Sequence, residues 1–158
     1  MSWARVMVPL AGTAGDAAVL SAAVRAAAPF DAEVSAVFAP ADVADIMPWL
    51  GEGYLGGVQT TAIETLRQAA ATGETRSRAA FEACDYAKKT FLALQSPVWA
   101  ALSAEARLSD LVVFGDDPAR GRGPLAECFQ QIVADEQRPV LIAQIGRASC
   151  RERVYVLV

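Results

Sequence analysis

Residues 111–115 read Leu-Val-Val-Phe-Gly, apolar at every side chain and without the alternation of a strand that has one wet face. A short run of this kind, closed by glycine, fits a strand covered by helices on both faces. Residues 6–10 (Val-Met-Val-Pro-Leu) are of the same type, and 33–39, 90–94 and 139–143 supply three further short β-prone runs. Between them lie segments whose apolar residues recur at three- and four-residue spacing. Strand and helix in alternation predict a parallel sheet with crossover helices.

The helix starts and stops are written in capping chemistry. Thr13-x-x-Asp16 has the spacing of a capping box, opening a helix with an inward stripe of Leu20, Val24 and Ala27 that Pro29 ends. A second box, Thr61-x-x-Glu64, predicts the start of a long helix striped by Ile63, Leu66, Ala70, Gly73, Ser77, Phe81 and Cys84. Ser96-Pro97 supplies an N-cap and first turn for a helix to about residue 108. Asp116 to Gly123 reads as a polar loop. The last helix has Pro124 near its start and Leu125, Phe129, Ile132 and Val133 inward. Residues 40–58 break the rhythm with two prolines and four glycines around Trp49, Leu50 and Tyr54. A loop of that length is usually functional or mobile. Trp49 and Tyr54 fit either a lid over a site or a partner patch, with packing of the loop onto its own sheet favoured.

Composition narrows the function. A chain of 158 residues fits one domain, and 54% apolar residues can form a continuous core. A net charge of −4 without any run of Lys or Arg gives no counterion-release advantage on nucleic acid, which is excluded as a partner. No apolar stretch approaches the roughly 20 residues of a membrane helix, so no membrane is expected, and the start shows no signal-peptide pattern. Cys84, Cys128 and Cys150 form no CxxC pair, which suits a reducing cytosol. Cys84 and Cys128 fall on helix stripes and are expected in the core. Histidine is absent, which removes Ser-His and Cys-His nucleophiles and His-ligated metals together.

In their order along the chain, VMVPLAGT at 6–13, AEVSAVFAP at 32–40, SDLVVFG at 109–115 and RPVLIA at 138–143 resemble the universal stress protein (UspA) family. MPWLGEGYLGG at 47–57 is similar to the loop of proteobacterial members. The resemblance spans about 4–144. It implies a three-layer α/β fold, an open sheet of five parallel strands in order 3-2-1-4-5, of the adenine-nucleotide alpha-hydrolase-like type. The tips of strands 1 and 4 then meet at the topological switch point, where open α/β sheets place ligands. The implied pocket brings Ala11, Gly12 and Thr13 opposite Gly115, Asp116, Gly121, Arg122 and Gly123, with Val37 of strand 2 available to an adenine.

Nucleotide-binding members of that family carry Asp at the end of strand 1 and G-x2-G-x9-G-[ST] after strand 4. Here the first position is Ala11. Gly115 is followed by Asp116-Asp117-Pro118, so the second glycine is missing and Pro118 has no N–H. The final Gly-Ser pair falls near Ala126-Glu127, placing a carboxylate where an anion would sit. Arg120-Gly121-Arg122-Gly123 could form an anion nest, although a solvated loop is the favoured reading. Asp116-Asp117 is read as a loop turn and neither an acid/base pair nor a metal pair. ATP or AMP binding is therefore expected to be weak or absent, with no cofactor.

The resemblance then implies a non-catalytic stress-response protein of the cytoplasm, acting through a homodimer and an unidentified protein partner. In the family, dimers form along the fifth strand, so Val140, Leu141, Ile142 and Ala143 are the implied seam. A nucleotide-binding switch is the alternative. A more remote one is an ATP-pyrophosphatase-type enzyme, because AGTAGD at 11–16 resembles that family's SGGxDS loop without its leading Ser. The domain is expected to end at 144. IGRASCRERV at 145–154 matches the translation of a common sequencing adapter, so 145–158 is expected to be a non-native tail. Residues 153–158 are nevertheless β-prone and could fold back on the fifth strand.

Overall fold

The computed structural model describes residues 2–41, 56–95, 97–143 and 154–157, with 56–59 and 154–157 as backbone alone. Its strands are β1 (Arg5–Leu10), β2 (Glu33–Phe38), β3 (Lys89–Ala93), β4 (Leu111–Gly115), β5 (Val140–Ala143) and β6 (Val154–Leu157). They form one sheet in the order β3-β2-β1-β4-β5-β6. The first five are mutually parallel, and β6 adds antiparallel to β5 with Val140 opposite Leu157. The expected order 3-2-1-4-5 is the one observed, with the extra strand laid on its edge.

Period-two alternation of the buried strands divides the core into two. Val6, Val8, Leu10, Leu111 and Val113 face α1 (Asp16–Ala27) and the long helix α2 (Gly56–Ala83). Met7, Val112, Phe114 and Val140 face α3 (Val98–Arg107) and α5 (Ala126–Gln131), where Phe114 and Phe129 meet edge to face at 5.3 Å. Both faces of β1 and β4 are therefore dry, which is why these strands carry no polar alternation. Cys84 and Cys128, expected in the core, are half-buried at the margin of these two clusters.

Four local expectations need correction. The long helix begins at Gly56, so Thr61 lies inside it and is not its N-cap; its carbonyl accepts the Thr65 hydroxyl at 2.8 Å. Asp116–Ala119 is a short helix, α4, where a polar loop was expected. Pro118 sits in the first turn of α4, where an N–H would have no intrahelical acceptor, so the ring costs little. Val133, expected inward, is 38% exposed because α5 passes into a π-helical turn at Ile132–Glu136. The wider turn shifts the phase of the stripe after Ile132. The α3 N-cap is Pro97, without a side-chain cap bond, and Ser96 lies outside the described residues. So do Trp49, Tyr54 and Cys150.

The π turn is held against α3 by a charged cluster. Glu136, with only 6% of its side chain exposed, accepts from Arg107 Nε at 2.6 Å and Nη2 at 3.0 Å, and from the Ser103 hydroxyl. Arg138 donates to the Arg107 carbonyl at 2.9 Å, tying the lead into β5 to the same place. The Arg107 hydrogen bonds first, then that of Ser103, hold the Glu136 carboxyl below its ordinary range, and Glu136 in turn raises Arg107. A carboxyl lowered in the folded state stabilises fully above its unfolded pKa and stops doing so as pH falls through the folded one. Glu136→Gln should therefore be less stable than the parent chain at neutral pH, and the gap should close on acidification below about pH 4. Urea denaturation at a series of pH values measures this, and a gap independent of pH would contradict it.

Candidate functional site

At the carboxyl end of the sheet β1 and β4 leave in different directions, α1 following β1 and α4 following β4. Between them lies a cleft of about 410 Å³ walled by Ala11, Thr13 and Asp16 on one side and Gly115, Asp117 and Arg122 on the other. This is the topological switch point of the sheet.

The β1 side is built by one buried carboxylate. Asp16 is 5% exposed and its Oδ2 accepts the Gly12 N–H at 3.0 Å and the Ser77 hydroxyl of α2 at 2.6 Å. Its Oδ1 takes the Thr13 hydroxyl at 3.2 Å and a long contact from the Ala11 N–H at 3.5 Å. The Thr13 to Asp16 spacing therefore has a capping role, but with the acid as acceptor and the loop as donor. The N-cap itself is Gly15, without a side-chain bond.

Gly12 turns the chain at φ +75°, and α2 crosses directly over it. A Cβ on Gly12 would stand 2.3 Å from Gly73 Cα, and one on Gly73 would stand 3.1 Å from the Phe38 ring. Two residues without side chains thus let the helix rest on the tip of the strand, next to the Asp16–Ser77 bond. Neither this contact nor Ser77 as a partner was legible in sequence, because the residues are about sixty positions apart; the signal available was a glycine and a serine on an otherwise apolar stripe.

The β4 side is closed on itself. Arg120 N–H donates to the carbonyls of Asp116 and Asp117 at 3.2 and 3.1 Å, Gly121 N–H to Pro118 at 3.1 Å, and Arg122 N–H to Asp117 at 2.8 Å. Three of the four amides of the suspected nest are spent on the α4 turn. Arg120 Nε also pairs with Asp116 Oδ2 at 2.8 Å. Gly121 and Gly123 adopt φ +71° and +76°, where glycine carries no steric penalty.

Of the nine residues expected in the pocket, Ala11, Thr13, Gly115, Asp116, Arg122 and Gly123 line the cleft. Gly12 lies beneath it against Gly73, Val37 is fully buried in the core on the α3 side, and Gly121 is exposed on the α4 turn outside the lining. Glu127 is on the exposed side of α5 and is not part of the wall. Among the described residues no group of three His, Cys, Asp or Glu side chains could hold a metal ion, and no helix is long and apolar enough to cross a membrane.

Comparison with solved structures places this arrangement. A universal stress protein solved in complex with cAMP superposes with a TM-score of 0.52, covering 92% of this chain and all of that one. The chain has the universal stress protein fold. Sequence identity over the match is 17%, so the likeness is one of architecture. No family model matches the sequence, and no curated protein matches it. In the universal stress protein fold the cleft just described stands where the strand order reverses, between the β1 and β4 loops.

Substitution of the glycines should separate the two sides of the cleft. Gly12→Ala combines a left-handed backbone with a backbone clash and should cost about 2–5 kcal/mol. Gly121→Ala has the same sign of φ but open space around it, and should cost about 1–2 kcal/mol. Chemical denaturation of both variants checks the order, and equal losses would mean that the crossing with Gly73 carries no weight.

Proposed function

We propose that this chain is a universal stress protein-like regulator without catalytic activity, acting in the cytoplasm through contacts with its own copies and with a protein partner. The observation that carries this reading is the self-satisfied β4 loop. Phosphate binding on an α/β switch point needs backbone N–H groups free to point at the anion. Here the amides of Arg120, Gly121 and Arg122 donate to carbonyls of their own turn, and Asp117 stands on the wall beside them. A triphosphate would have to break those bonds and approach two or more carboxylates.

A weak adenine-nucleotide switch is the second reading, favoured by the solved relative in fold, which holds cAMP. The cleft volume falls in the range of small-ligand sites. The remote reading as an ATP-pyrophosphatase-type enzyme loses its main support, since Asp16 is enclosed by four donors of its own chain. Titration calorimetry with ATP, AMP and cAMP distinguishes the readings. The regulator reading expects dissociation constants in the millimolar range or weaker for all three. A micromolar constant for any of them would favour the switch.

The self-association arm concerns β5. Its outer edge, Val140 to Ala143, is paired with β6, and an unpaired edge of that kind would be open to a second chain. If 145–158 is a non-native tail around a domain ending at 144, β6 occupies the seam that a partner copy would use. Cutting the chain after Gln144 should then shift gel filtration from monomer towards dimer. A truncated chain that stays folded and monomeric at high concentration would remove the seam from the proposal.

A further inference from the structure

The β1 wall of the cleft has a feature of its own, separate from the β4 loop. Donors from three places converge on one point: the Gly12 N–H at 3.0 Å, the Thr13 hydroxyl at 3.2 Å and the Ser77 hydroxyl of α2 at 2.6 Å, with the Ala11 N–H farther off at 3.5 Å. This is a donor set suited to a small oxyanion, at the N-terminal end of the twelve-residue helix α1, where the helix dipole favours negative charge. What occupies it is the chain's own carboxylate. Asp16 is buried to 5% exposure, yet it belongs to the wall of the 410 Å³ cleft.

We infer that Asp16 is the residue that sets the selectivity of this cleft: its carboxylate is a built-in anion, seated on donors that would otherwise hold a tetrahedral oxyanion such as sulfate or phosphate. The inference rests on the reading of the cleft as closed to nucleotide, and it adds a second lock to that of the β4 loop. An external anion meets a fixed negative charge there, and the Gly12, Thr13 and Ser77 hydrogens that face it are already taken. Neutralising the carboxylate without vacating its place relieves the repulsion. Removing the side chain also frees the donors.

Asp16→Ala is the direct test, with inorganic sulfate as the probe and sodium chloride at equal ionic strength as the control. Sulfate raises the melting temperature of proteins generally through exclusion from the surface, a response that does not saturate. Binding at the vacated place adds a saturable rise, about 5–10 °C at a hundredfold excess over the dissociation constant for a domain of this size. The variant is expected to show that saturable rise while the parent chain shows the general one alone. Ser77→Ala, which removes a donor and keeps the charge, is expected to lose stability and to respond to sulfate as the parent does. A folded Asp16→Ala chain with the parent's sulfate response overturns the inference, as does a parent chain that already responds saturably. If Asp16→Ala folds in sulfate and not in chloride, that supports it. If Asp16→Ala folds in neither salt, Asp16→Asn carries the test, with a weaker saturable rise expected and the parent's response overturning it. Tight ATP binding by the parent would sink the regulator reading and leave this comparison of variant with parent intact.

Discussion

The structure depends on how a long helix is brought down onto the end of the first strand. β1 must stop, turn and deliver α1 to one face of the sheet while α2 crosses the same spot. Only a backbone-to-backbone approach has room for it, and Gly12 over Gly73 supplies one. The Gly12 N–H, buried under α2, needs an acceptor, and the Asp16 carboxylate takes it together with the Thr13 hydroxyl. Ser77 adds the only link in that set from outside the turn, so helix, strand tip and cleft wall are fixed together. An unsatisfied donor at this depth would cost on the order of 1–3 kcal/mol, which is why an acid can be tolerated there.

The two sides of the cleft reach the same chemical outcome by different means. On the β4 side a proline and two aspartates begin α4, whose carbonyls absorb the amides of Arg120, Gly121 and Arg122. On the β1 side a carboxylate absorbs the donors. The amides of Arg120, Gly121 and Arg122 are thereby withdrawn from the row that open α/β sheets use to hold phosphate. The cleft stands at the switch point of the sheet, with the Arg120, Gly121 and Arg122 amides and the donors around Asp16 turned inward.

Much of this architecture was legible in the sequence. The five parallel strands are unbroken apolar runs, such as Leu111 to Phe114, and a chain with dry faces on both sides of its sheet has few other ways to fold. The helix start at Gly56 was not legible, because glycines read as loop and Thr61-x-x-Glu64 imitates a cap; tertiary contacts along α2 outweigh the glycine penalty. The short helix α4 was hidden by Asp116-Asp117-Pro118, residues as common in turns as in first helical turns. At the site, the positions of Ala11, Thr13 and Gly115 followed from the strand order that the family resemblance implies. The role of Asp16 did not, since its decisive partner comes from a helix far along the chain.

The central claim is that the Arg120, Gly121 and Arg122 amides are committed within their own turn and are not offered to phosphate groups. Backbone amide chemical shifts followed by NMR during titration with inorganic pyrophosphate read those hydrogens one by one. The account predicts that the Arg120, Gly121 and Arg122 signals stay in place up to millimolar pyrophosphate. Saturable shifts at these amides in the micromolar range would contradict it.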